Sequence, residues 1–181
     1  MKIISGKYKG RKLEGFDLKG TRPTMDRVKE SLFAMIQDYI PKSIILDLFS
    51  GSGNLGIEAL SEGAGYAYLV DSNAKAANVI RKNIEKIAIT EVTIWNMDYQ
   101  KALDELKKKS QKVDIIFLDP PYQTNYIEES LKTIDQYELL APAGIIVCES
   151  DDLKKIVYSK NFVSVKEKKY GDKHIVILKK I

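Results

Sequence analysis

The chain has 181 residues, 44% of them apolar and 30% charged, with a formal net charge of +4. That is one domain's worth of sequence, long enough to bury a sizeable core. No apolar run approaches the roughly 20 residues of a membrane span, no secretion-signal segment opens the chain, and a single cysteine with a single histidine excludes both a disulfide and a zinc or iron–sulfur site.

Taken in chain order, the first 15 or so residues predict two short strands around Gly6 to Gly10. Residues 1–23 therefore read as a basic hairpin extension ahead of one globular domain spanning 24–181. Thr24 is expected to cap a helix running to about Tyr39, with Met25, Val28, Leu32, Met35, Ile36 and Ile40 on one stripe. Pro41 closes it. From Ser43 onward strands near 43–48, 66–71, 92–96, 113–118 and 144–149 alternate with helices near 55–62, 74–87, 99–109 and 126–137. Such alternation implies right-handed crossovers and a parallel sheet. The end differs: Phe162–Tyr170 and His174–Lys180 flank only Gly171-Asp172-Lys173 and predict an antiparallel hairpin. The fold class is thus α/β, a Rossmann-like seven-stranded sheet, mostly parallel with one antiparallel strand near the C-terminus, helices covering both faces.

The run Ile44-Ile45-Leu46-Asp47-Leu48-Phe49-Ser50-Gly51-Ser52-Gly53-Asn54-Leu55-Gly56 is a buried strand that breaks into glycines and then enters a helix. Gly51, Gly53 and Gly56 match G-x-G-x-x-G, and Asp71 ends the next strand 20 residues after Gly51. Glycines let a backbone approach a ligand, and a strand-end carboxylate takes ribose hydroxyls. The pattern fits an adenosine-type cofactor and does not by itself separate a dinucleotide from S-adenosylmethionine. Asp47 tips the choice. A carboxylate there repels a pyrophosphate but suits the sulfonium and ammonium of S-adenosylmethionine. Asp98 follows the third strand and could accept from the adenine amine, or simply cap the helix beginning near Tyr99.

Asp119-Pro120-Pro121-Tyr122 follows the fourth strand, at the strand ends where open α/β sheets bind ligands. Two prolines stiffen the turn and remove two N–H donors, leaving carbonyls to accept. The bland reading is a rigid turn. The chemical one is a clamp for a nucleobase amine, whose lone pair is delocalised into the ring. Asp119 and the Pro120 carbonyl would each accept one N–H and localise that pair, while Tyr122 stacks on the base. Preorganised acceptors of this kind act on charge that develops during reaction. The cofactor motif decides for the second reading.

Asp47 to Gly56, Asp71, Asp98 and Asp119 to Tyr122 resemble the motifs of class I S-adenosylmethionine-dependent methyltransferases acting on amino nitrogens. Met1 to Leu13 and Thr21 to Phe33 narrow the likeness: they resemble the start of the RsmD family, the bacterial 16S rRNA guanine-N2 methyltransferases. The resemblance runs the whole length, to Lys169-Tyr170-Gly171-Asp172 before the last strand. It implies methylation of a guanine N2 in 16S rRNA, within an assembled or partly assembled 30S subunit. It also implies S-adenosylhomocysteine as product, no metal, and a cytoplasmic monomer without membrane contact.

Charge is distributed to suit such a substrate. Residues 1–30 hold nine Lys/Arg against four Asp/Glu, residues 153–181 nine against two, and the middle eleven against nineteen. Lys7, Lys9, Arg11 and Lys12, interleaved with glycines and Tyr8, together with Arg22 and Arg27, are candidate phosphate contacts. The rivals are a DNA adenine-N6 or cytosine-N4 methyltransferase, for whose separate recognition domain the chain leaves little room, a nicotinamide-dependent oxidoreductase, and a non-catalytic RNA-binding assembly factor.

Overall fold

The computed structural model describes residues 1–16 and 23–181. Helix α1 spans Pro23–Ile36 and passes through a 3-10 turn, Gln37–Tyr39, before the first strand. The helix thus begins one residue before Thr24, with Pro23 at a first-turn position where its missing N–H costs nothing. Then come β1 (Ile44–Asp47), α2 (Asn54–Ser61), β2 (Tyr66–Val70), α3 (Ala74–Ile87), β3 (Val92–Trp95), α4 (Tyr99–Lys108), β4 (Val113–Leu118), α5 (Tyr126–Gln136) and β5 (Leu140–Ser150). A hairpin, β6 (Phe162–Tyr170) and β7 (Lys173–Lys180), ends the chain. Among the described residues no helix is long and apolar enough to cross a membrane.

All seven strands form one sheet in the order β3-β2-β1-β4-β5-β7-β6. Neighbours from β3 to β5 pair in parallel, and β7 runs antiparallel to both β5 and β6. The strand order reverses between β1 and β4, the position at which open α/β sheets leave a crevice at their carboxyl ends. Alternate residues feed two cores. Ile45, Leu69, Phe117, Val147, Ile175 and Ile177 pack with α1, α2 and α3, while Leu46, Val70, Leu118, Cys148 and Val176 pack with α4 and α5.

Two elements differ from their sequence patterns. Strand β5 starts at Leu140, because Val113 still pairs with Leu140 before the register jumps to Ile115 and Ile145. Ala141 to Gly144 therefore form a bulge inside the strand, which begins four residues before the expected start near 144. The N-terminal strands shrink to one antiparallel bridge between Lys2 and Lys12. Between them the Lys7 N–H donates to the Ser61 carbonyl at 2.8 Å, the Tyr8 N–H to Ser61 Oγ at 3.0 Å and the Ile4 N–H to Glu58 Oε1 at 2.8 Å. Other N–H groups close the segment on itself: Ile3 donates to the Arg11 carbonyl at 2.9 Å, Gly10 to the Ile3 carbonyl at 2.8 Å and Leu13 to the Met1 carbonyl at 3.0 Å. A Cβ on Gly6 would lie 1.9 Å from the Ser61 carbonyl oxygen, so only glycine fits. Ile3 and Leu13 are buried in the main core.

Candidate active site

The loop after β1 carries the first group of site residues. Asp47 is buried at the end of β1 and its Oδ2 accepts the Gly56 N–H at 3.1 Å. Burial pushes its carboxyl up to about 7, with the neighbouring Asp71 charge adding and the Gly56 bond opposing. Gly51 has φ +58 and nothing within 4 Å of where a Cβ would stand, so its backbone borders open space. Gly53 takes a left-handed conformation at the start of α2. Gly56 serves packing, since a Cβ there would come within 2.1 Å of Leu69. Neither Gly53 nor Gly56 borders the cleft; they shape the turn that brings Gly51 to it.

The Asp71 carboxylate receives the Gly51 N–H on Oδ2 and the Asn73 N–H on Oδ1, both at 2.9 Å. Each oxygen accepts one N–H among the described residues, and Asp71 lines the cleft. Asp98 caps α4 by accepting the Gln100 N–H at 2.8 Å. It also lines the cleft, so the capping and binding roles are compatible. Beside it stand three rings absent from the motif reading: Phe49 stacks on Tyr126 at 3° and 5.9 Å, and Tyr99 contacts both. All three line the cleft as an aromatic wall, with Tyr99 tilted to the other two.

Asp119 leaves the end of β4 half-buried, with Pro120 buried behind it and Tyr122 36% exposed. Among the described residues no donor bonds the Asp119 carboxylate or the Pro120 carbonyl. Both remain available to a ligand. Lys155 holds the loop by donating to the Tyr122 carbonyl, and Thr124 Oγ1 donates to the Pro121 carbonyl at 2.7 Å. Burial first, then the charges of Glu149 and Asp47, push the Asp119 carboxyl well above its ordinary range, against the pull of Lys173.

Glu149 and Lys173 were likewise missed by the sequence reading. Glu149 is 8% exposed at the end of β5 and binds Lys173 Nζ at 2.5 Å. A signal existed: Glu149 is a fifth acid at the carboxyl end of a parallel strand, like Asp47, Asp71, Asp98 and Asp119. These groups meet in one crevice with two lobes of about 580 and 250 Å³. The larger holds Asp71, Asp98, Tyr99, Pro120, Tyr122 and Tyr126, and the smaller Asp47, Asn54 and Glu149. Gly51, Phe49, Asp119 and Lys173 border both.

The candidate RNA contacts lie apart from this crevice. Lys7, Lys9, Arg11 and Lys12 are exposed on the N-terminal loop, and Arg27 is exposed on α1. Arg11 is partly committed, donating to the Lys86 carbonyl at 2.6 Å, while Lys86 Nζ reaches back to the Lys12 carbonyl at 3.0 Å. Lys7 Nζ sits 5.3 Å from the Tyr8 ring centre. Arg22 lies outside the described residues.

A seven-stranded sheet with a reversed seventh strand, and acids at successive strand ends around one crevice, define an S-adenosylmethionine-dependent methyltransferase. Residues 1–179 match the family model described as Conserved hypothetical protein 95, and the chain belongs to that family, the RsmD family. A Bacillus subtilis protein provisionally named an rRNA methyltransferase, YlbH, is 39% identical over 184 residues, covering 99% of both chains. Ribosomal RNA small subunit methyltransferase D of Haemophilus influenzae is 36% identical over 175 residues, covering 94% of this chain and 89% of its own. Among solved structures, an Escherichia coli protein provisionally described as a methyltransferase, yhhF, superposes with a TM-score of 0.87. Its identity is 30%, with 99% of this chain and 97% of that one covered.

Proposed function

We propose that this chain methylates the exocyclic N2 of a guanine in 16S rRNA, acting on an assembled or partly assembled 30S subunit. The observation that carries the reading is a pair of acceptors that no donor among the described residues occupies, the Asp119 carboxylate and the Pro120 carbonyl, beside an adenosine-sized lobe. S-adenosylmethionine, when bound, supplies a methyl group already activated on a cationic sulfur. The residues fit that cofactor. Asp71 and the open backbone at Gly51 suit its ribose, Asp98 and the Phe49–Tyr99–Tyr126 wall suit its adenine, and Asp47 suits its cationic end.

The chain's own work is to prepare the nucleophile. Asp119 and Pro120 accept the two N–H bonds of the amine and drive its nitrogen toward tetrahedral geometry, which localises the lone pair. Tyr122 offers its ring to the base face, and the base must leave its stack to arrive there. Lys7, Lys9, Arg11, Lys12 and Arg27 supply phosphate attraction on the approach. The test is a labelled-methyl assay on 30S particles from cells lacking the gene, with mass mapping of the rRNA. Label appearing on N2 of one guanine supports the reading. Label on an adenine or cytosine amine, or none, overturns it.

A further inference from the structure

We propose that Glu149 and Lys173 read the Watson–Crick edge of the target guanine next to its amine, Glu149 accepting from N1–H and Lys173 donating to O6. The inference rests on the guanine-N2 reading above and deepens it. Its observations are the order of three groups across three neighbouring strands. Asp119 and Glu149 each follow the paired residues Leu118 and Cys148 by one position, so they stand side by side at the ends of β4 and β5. Lys173 begins β7 on the far side of β5, one residue before the His174–Ser150 pair. All three alternate onto the α1 face of the sheet, with Phe117, Val147 and Ile175. All three border the smaller lobe.

The sequence across the crevice is therefore acceptor, acceptor, donor. Along the edge of guanine the order is N2 amine, N1–H and O6, which is donor, donor, acceptor. The two series are complementary. Adenine and cytosine place an unprotonated ring nitrogen beside their amines, and a carboxylate facing that lone pair would repel it. Glu149 thus supplies what the Asp-Pro-Pro-Tyr clamp lacks, a means of telling one amine-bearing base from another. Glu149 can serve because Lys173 occupies only Oε1, and among the described residues no donor takes the other oxygen. Burial disfavours the Lys173 charge, but Glu149, Asp119 and Tyr122 outweigh it and hold the ammonium above its ordinary range. A donor toward O6 is thereby kept protonated.

A merely structural ion pair would support the same fold without caring which base arrives, and the test exploits that difference. The guanosine mapped by the assay above is replaced with 2-aminopurine by splinted ligation, and the RNA is reconstituted into 30S particles. This base keeps the amine but presents N1 as an acceptor and has no O6. Wild-type protein should prefer guanine by about 10²-fold or more in kcat/KM, as sites built around hydrogen bonds reject analogues that leave them unpaired. In Glu149→Gln the new amide N–H can donate to N1 of 2-aminopurine, so the preference should narrow by about tenfold or more. Lys173→Met removes the donor to O6 and should narrow it too, which keeps the test sharp if one variant melts early. A wild-type preference within about threefold, or a preference unmoved in both folded variants, overturns the inference. If the methyl group maps to an atom other than guanine N2, the parent reading fails and this one falls with it.

Discussion

The Lys29 ammonium lies 3.3 Å from the Glu58 carboxylate, with side-chain exposures of 2% and 0%. Lys29 Nζ also donates to the Lys2 carbonyl and to Asn54 Oδ1, each at 2.8 Å, while Glu58 Oε1 accepts the Ile4 N–H. One buried pair thereby joins α1, α2 and the N-terminal loop. Burial lowers the Lys29 pKa from its ordinary value against the opposing pull of Glu58, the usual balance for a desolvated ion pair.

Lys29→Met should consequently cost about 3–5 kcal/mol, because Glu58 would remain buried without its counter-charge. Adding Glu58→Gln should recover part of that stability, a coupling that a double-mutant cycle in denaturant melts would measure. A single variant within about 1 kcal/mol of wild type would show that water reaches the pair.

Asp47 connects ligand affinity to pH. Its carboxyl is raised to about 7 by burial, so the folded state holds its proton at pH values where the unfolded chain has released it. The sign follows: this residue's contribution to stability declines as pH rises from about 4 toward 7. A cationic ligand beside it favours the ionised form. S-adenosylmethionine affinity should therefore weaken as pH falls through 7, approaching about tenfold per unit well below that value. Calorimetry at pH 6, 7 and 8 reads this directly. Asp47→Asn should bind more weakly and lose the pH dependence, and an unchanged slope would remove Asp47 from the cationic end.

Asp119→Ala is expected to retain cofactor affinity while methyl transfer falls by about 10²–10³, the typical cost of removing one preorganised polar group. The acceptor is the ionised carboxylate, and because burial, Glu149 and Asp47 raise its pKa, the wild-type rate should climb with pH. Single-turnover rates at saturating cofactor separate the two effects. Turnover within threefold of wild type, at normal affinity, would contradict the assigned role.

Local patterns made the alternation of strands and helices readable, since period and punctuation by Gly and Pro are properties of short windows. The acids ending four strands were readable for the same reason. Gly56 was visible as a motif position, but its packing against Leu69 depends on a strand distant in sequence. Glu149 and Lys173 lie 24 residues apart on antiparallel strands, and Lys29 and Glu58 on separate helices. Pairing of that sort follows from register and helix placement, which no local pattern states. The N-terminal segment closes on itself through Ile3, Gly10 and Leu13, but its docking through Ser61 and Glu58 involves partners more than 50 residues away. Strand β5 began early because Val113 selects Leu140 despite the intervening Pro142.

Lys7, Lys9 and Lys12 test whether the N-terminal loop grips RNA. Arg11 is best left in place, because its bond to the Lys86 carbonyl helps hold the loop on α3. The three lysines are exposed and their side chains hold no helix or strand, so a neutral triple variant should melt with the wild type. For every phosphate that the loop no longer neutralises, the slope of log affinity against log salt should flatten by about 0.7 to 0.9. The variant should bind 30S particles more weakly at low salt and converge on the wild type as salt rises and screening removes the difference. S-adenosylmethionine affinity should stay put, since none of the three borders the crevice. An unchanged salt slope with folding intact would assign these charges to solubility. It would move the RNA-binding surface to the β6–β7 hairpin, where Lys166, Lys168 and Lys169 are also exposed.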